Sequence, residues 1–132
     1  MKPGSWLLLA LLLVAPSVRA QEAEAPLPAL TEPVNDFAGV VDAESRAEMD
    51  RVIRVLQAGT GDVIVVATVK DVEPYADIRD YAVRLFENQG RGIGERGKDN
   101  GLLVLLSTGD RRVWIEVGYG LEGAITDGFA GE

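Results

Sequence analysis

Apolar positions along the chain change their period several times, and each change marks an element. Met49, Val52, Ile53 and Leu56 fall at i, i+3, i+4 and i+7, one stripe of a helix. Asp42 is placed to cap that helix, Glu44 lies in its first turn, and Gly59 is placed to stop it. Val63 to Val69 is an unbroken apolar run rich in β-branched residues, the signature of a strand covered on both sides. Asp77 then precedes a second helical stripe, Ile78, Tyr81, Ala82, Leu85 and Phe86, which Gly90 closes. Leu102 to Leu106 is a second apolar strand. A strand, a helix of about twelve residues and a strand form a unit whose strands run parallel through a right-handed crossover. Ser107 to Arg112 is short enough for a hairpin turn, after which Val113, Ile115 and Val117 alternate with Trp114 and Glu116 in a returning antiparallel strand. The expected fold class is α/β: a single small domain with a mixed β-sheet, a parallel pair plus an antiparallel hairpin strand, packed with helices.

The amino terminus reads differently. Lys2 gives a positive start, Trp6 to Ala15 is uninterruptedly apolar, and Pro16 to Ala20 ends in the small residue a signal peptidase accepts. Ten apolar residues are too few to cross about 30 Å of hydrocarbon as a helix, so residues 1–20 are assigned to a cleaved export signal. The mature protein is then expected to be periplasmic or extracellular. Residues 21–32 hold two prolines and no periodicity and are read as a flexible leader, with the folded domain at 33–132.

Composition narrows the chemistry. The chain has neither Cys nor His, which removes disulfides, thiol nucleophiles, imidazole bases and the usual zinc ligands. Ser-His-Asp and Cys-His machinery are thereby excluded. Loss of residues 1–20 removes Lys2 and Arg19 and no acid, so the mature balance is 11 − 21 = −10. Such a surface repels phosphate backbones, and no nucleic-acid partner is expected. Oxygen ligands remain plentiful, which suits hard cations such as Ca²⁺ or Mg²⁺.

The topology brings two glycine-rich loops together. The end of the third strand, entering Gly118 to Gly128, lies beside the start of the second, which follows Gly90 to Gly101. Asp62, Asp99, Asn100, Glu122 and Asp127 are expected on that side, and Asp71, Glu73 and Asp110 on the other. Gly92 to Gly97 and Gly118 to Gly123 both spell G-x-G-x-x-G. The first follows a helix instead of a strand, and the second would set Glu122 against a pyrophosphate. Glycines serving tight turns are the better account of both, and no nucleotide or redox cofactor is expected.

Val34-Asn35-Asp36-Phe37-Ala38-Gly39-Val40-Val41, Thr60-Gly61, Asp99-Asn100-Gly101-Leu102-Leu103 and Glu116-Val117-Gly118-Tyr119-Gly120-Leu121-Glu122-Gly123 with Thr126-Asp127 closely resemble the TPM domain family. The resemblance spans about Pro33 to Glu132. It implies an α/β sandwich with a Rossmann-like mixed sheet, divalent-metal binding by some members, and the weak acid-phosphatase activity of a plant relative. The family includes exported bacterial proteins and thylakoid proteins linked to photosystem II repair. Some bacterial relatives carry a methanol dehydrogenase label, which no residue here supports. TPM domains continue past the Thr-Asp segment into further helix, so the resemblance also implies a domain cut short at its carboxyl end, without any downstream anchor.

The carboxylates divide by position. Asp42 and Asp77 read as helix caps, and Glu44, Glu48 and Asp50 with Arg51 and Arg54 as a solvated face. Asp36, Asp99, Asn100 and Asp127, with backbone carbonyls, are the candidate ligands of one Ca²⁺ or Mg²⁺ ion. The bland alternative makes Asp99-Asn100-Gly101 a turn and Asp127 another cap. Gly118, Tyr119, Gly120 and Glu122 form a candidate ligand or partner loop, although for Tyr119 a lid over the core edge is the better account. Ser45, Ser107, Lys70 and Lys98 are the only mature serines and lysines, which leaves little basis for a Ser-Lys nucleophile, and Arg111-Arg112 reads as a charged turn. The expected function is an exported, cation-binding, non-catalytic module acting through an envelope or membrane-associated protein. Metal-assisted phosphatase chemistry, with Arg91, Arg96 and Lys98 as the available cations, and a purely structural interaction domain are the alternatives.

Overall fold

The computed structural model describes residues 25–126. Four strands stand in the order of the chain: β1 (Val34–Asp36), β2 (Val63–Val69), β3 (Gly101–Ser107) and β4 (Arg112–Val117). β1, β2 and β3 are parallel, and β4 returns antiparallel to β3. The expected parallel pair and hairpin strand are present, and β1 extends the parallel set to three. Three residues carry no periodicity of their own, so β1 exists through its partner: Val34, Asn35 and Asp36 register with Val66, Ala67 and Thr68.

α1 (Ala43–Thr60) starts where expected, with the Asp42 carboxylate accepting from the Ser45 N–H at 2.8 Å. It ends one residue past Gly59, because Gly61 takes the left-handed conformation (φ 81°) and its N–H reaches the Gln57 carbonyl. α2 (Ile78–Phe86) is capped by Asp77 through the Asp80 N–H. It is followed by a short turn, Asn88–Gly90.

Strand register divides the sheet into two faces. Val65, Ala67 and Val69 of β2 with Leu103 and Leu105 of β3 pack against Ile78, Tyr81, Ala82 and Leu85 of α2, and Trp114 of β4 closes the margin of this core. α1 lies along β1 and β2 and buries only Ile53 fully; Val52, Val55 and Leu56 remain exposed. Its stripe is wider than the support it meets, since β1 offers three residues.

Residues 25–32, which their prolines assign to a flexible leader, lie as a strap across the fold. Leu30 is buried in the main core, and the Asn88 side chain both accepts from its N–H (2.9 Å) and donates to its carbonyl (3.1 Å). The Tyr75 hydroxyl donates to the Ala25 carbonyl at 2.6 Å. The physical reason is burial: Leu27 and Leu30 find apolar partners only in the tertiary structure.

Candidate functional site

The sheet has two rims. At one, β2 and β3 begin and β4 ends; at the other, β1, β2 and β3 end and β4 begins.

The two glycine-rich loops do meet at the first rim. The Gly118 N–H donates to the Gly101 carbonyl at 2.8 Å and the Gly120 N–H to the Asp99 carbonyl at 2.9 Å. The approach is backbone on backbone. A methyl group at Gly118 would run into the Asp99 carbonyl oxygen, one at Gly120 into that of Lys98, and one at Gly101 into that of Ile93. At Gly94 (φ 102°) it would sit 2.7 Å from the Asn100 Oδ1. These glycines are required by the chain's own packing: at Gly94, Gly101, Gly118 and Gly120 neighbouring atoms stand where a side chain would begin.

Asn100 is the hub of this junction. It is buried, donates through Nδ2 to the Gly61 carbonyl at 2.8 Å and accepts the Glu95 N–H at 2.8 Å through Oδ1, tying three segments together. Asp99 precedes it in a left-handed conformation (φ 49°), with its backbone fixed by Gly120 and its exposed carboxylate without a hydrogen bond among the described residues. Tyr119 stands out from the turn Tyr119–Leu121 and is 79% exposed, so it is no lid over the core. Glu122 is exposed beside it. Lys98 pairs with Glu95.

Asp36 is elsewhere. It ends β1 opposite Thr68, at the second rim, whereas Asp99 precedes the β3 residue that registers with Val63. The offset along β2 is about five residues, or roughly 16 Å at strand rise, too far for one ion whose ligands lie about 2.3–2.6 Å away. Asp36 organises the loop that follows it: it accepts from the Thr68 hydroxyl at 2.5 Å and from the N–H groups of Val40 and Val41 at 3.1 and 3.0 Å. The Thr68 bond, with smaller help from these amides, holds its carboxyl below the ordinary value of 3.8. Asp127 lies outside the described residues. Among those that are described, no three acidic side chains gather to hold a metal ion, and the Asn100 amide is engaged at both ends.

Two further features bear on chemistry. Ser107 is fully buried and its hydroxyl donates to Asp110 at 2.6 Å, so it is not presented as a nucleophile. A groove of about 590 Å³, unforeseen from sequence, runs between the strap and α2 beside Tyr75, Val83, Glu87 and Gln89, and none of the candidate ligands borders it. Pairing of a leader with a helix turn 58 residues away leaves no local signal.

Comparison with known proteins adds the following. A family model, the TPM domain, matches residues 34–132. The solution structure of the N-terminal domain of a P. gingivalis protein is similar with a TM-score of 0.65 and 31% identity, over 76% of this chain and 62% of that one. The N-terminal domain of a Corynebacterium glutamicum protein gives a TM-score of 0.60 over 80% of this chain and 65% of that one, and at 20% identity speaks to the fold alone. The chain thus spans a little under two thirds of the length of each. No curated protein matches it.

Proposed function

The chain belongs to the TPM domain family, and on that premise we propose that it is an exported, non-catalytic binding module whose glycine rim, tipped by Tyr119, contacts an envelope or membrane-associated protein. The observation that supports this reading is the contrast within the rim. Its backbone is locked by Gly118, Gly120 and Asn100, while the aromatic ring it carries is 79% exposed. A rigid base with a protruding tyrosine suits recognition, because little conformational entropy is lost when the ring is buried by a partner.

A divalent cation is the second element of the reading. It rests on Asp99, whose backbone is fixed and whose carboxylate is unengaged among the described residues, acting together with Asp127. Metal-assisted hydrolysis of phosphate esters has less support, because it also needs a free cationic clamp and Lys98, one of its candidate cations, is paired with Glu95.

The test is a photo-crosslinking amino acid placed at position 119 and, as a control, at the exposed Val83, in cells exporting the protein. A discrete adduct from 119 alone is expected, formed in calcium and diminished in EDTA or with Asp99→Ala. Equal labelling from both positions overturns the rim as the contact surface. Turnover of an aryl phosphate by the same purified protein overturns the non-catalytic reading.

A further inference from the structure

Among the described residues β4 is the outer strand of the sheet, and the bonding on its inner side decides which backbone groups face outward. The Gly118 N–H donates to Gly101, and the register continues with Leu103 opposite Glu116, Leu105 opposite Trp114 and Ser107 opposite Arg112. Bonded pairs recur at every second residue of an antiparallel ladder, so Arg112, Trp114 and Glu116 bond to β3. The N–H and C=O groups of Val113, Ile115 and Val117 therefore point away from the sheet, and among the described residues nothing bonds to them. The opposite edge is guarded: β1 has three residues, and the Arg46 guanidinium donates to the outward carbonyl of Val34 at 3.0 Å. β4 has six residues and, among the described residues, no such guard, with Val113 59% exposed. An open edge of this kind is a template for another strand.

We propose that β4 pairs antiparallel with β4 of a second copy of this chain, about a two-fold axis at Trp114, to give one continuous sheet across the dimer. The strand is self-complementary about that residue. Setting Trp114 opposite its symmetry mate puts Val113 opposite Ile115 and Arg112 opposite Glu116. Parity agrees, because Val113 and Ile115 carry the outward backbone groups and become the bonded pairs. The Arg112–Glu116 and Trp114–Trp114 pairs then fall at non-bonded positions, where side chains come closest. Glu116 is already oriented on its face by the Trp114 indole N–H, which donates to it at 2.9 Å. Centring the axis on Ile115 instead would set Arg112 against Gly118 and Trp114 against Glu116, leaving the cation without a counter-charge. Charge complementarity therefore selects a second copy in this register. The acidic excess of the molecule does not oppose it locally, since each edge brings one Arg and one Glu to the seam.

Sedimentation equilibrium of the mature protein from ~1 to ~300 µM tests the pairing, with far-UV circular dichroism to confirm folding. A concentration-dependent dimer is expected. Arg112→Glu or Glu116→Arg alone turns two opposite-charge pairs into like-charge pairs and should weaken it roughly tenfold or more. The double variant Arg112→Glu/Glu116→Arg restores the pairing and should return the Kd to within about threefold of the original. Should a single reversal unfold the chain, Arg112→Gln and Glu116→Gln replace it: each should weaken the dimer by a smaller factor, and the two combined by less than the product of those factors. A protein that is monomeric at every concentration, or a double reversal no tighter than the single ones, overturns the proposal.

Discussion

At the scale of single residues, the glycines separate by what surrounds them. Gly118 and Gly123 stand five positions apart in one motif, yet a methyl group at Gly118 strikes the carbonyls of Asp99 and Gly101, whereas at Gly123 it meets nothing within 4 Å. Backbone cannot yield as a side chain tip can, so Gly118→Ala should destabilise the protein by about 2–3 kcal/mol. Gly123→Ala should change stability by no more than about 0.5 kcal/mol. Urea denaturation of the two variants checks the difference, and equal costs would mean that the loops do not touch as described. Sequence alone could identify these glycines as turn formers. Through the hairpin topology it could also place the two loops on one rim, but it could not show that carbonyls of the earlier loop leave no room for a side chain at Gly118.

At the scale of elements, legibility follows the range of the interactions. Both helices and β2, β3 and β4 were legible because each carries its own period, cap or stop. β1 and the strap were not, because both are held by distant partners: β1 by Val66–Thr68, the strap by Asn88 and the α2 core. The candidate cation ligands divided for the same reason. Asp36 lies in a loop-like sequence three residues before Gly39, and only the unforeseen β1 sends it to the far rim. The strap gives the element-scale prediction. Leu30→Ala removes a side chain buried in the core and should cost about 2–4 kcal/mol. Asn88→Ala leaves the Leu30 amide without its partner and should cost about 1–3 kcal/mol. A truly free leader would leave the thermal midpoint of either variant unchanged, which calorimetry would reveal.

At the scale of the whole molecule, the excess of acid sets two effects against each other as pH falls. Crowded negative charge disfavours the compact state, and protonation relieves it; carboxylates held by native donors act the other way. Among the described residues Asp36, Asp42, Glu48 and Asp80 are each drawn below their ordinary values, and in each case the leading cause is a specific hydrogen bond: Thr68, the Ser45 amide, Arg51 and Arg84 respectively. A carboxylate whose folded pKa is depressed contributes stability above its unfolded value, here 3.8 for Asp and 4.5 for Glu, and that contribution disappears as pH falls through the folded value. Each of these four groups should therefore withdraw its contribution on acidification below about pH 4.5, against the relief of repulsion. Asp36 isolates the local part of this behaviour, because its donors come from β2 and from its own loop and involve no cation. Asp36→Asn should lower the thermal midpoint at pH 7, and its deficit relative to the unaltered protein should shrink as pH falls below the ordinary 3.8 and through the lowered folded value, where the native carboxylate is itself protonated. A deficit that stays constant from pH 7 to pH 3 would show that Asp36 acts through shape alone, and that the acid response belongs to the charge of the molecule as a whole.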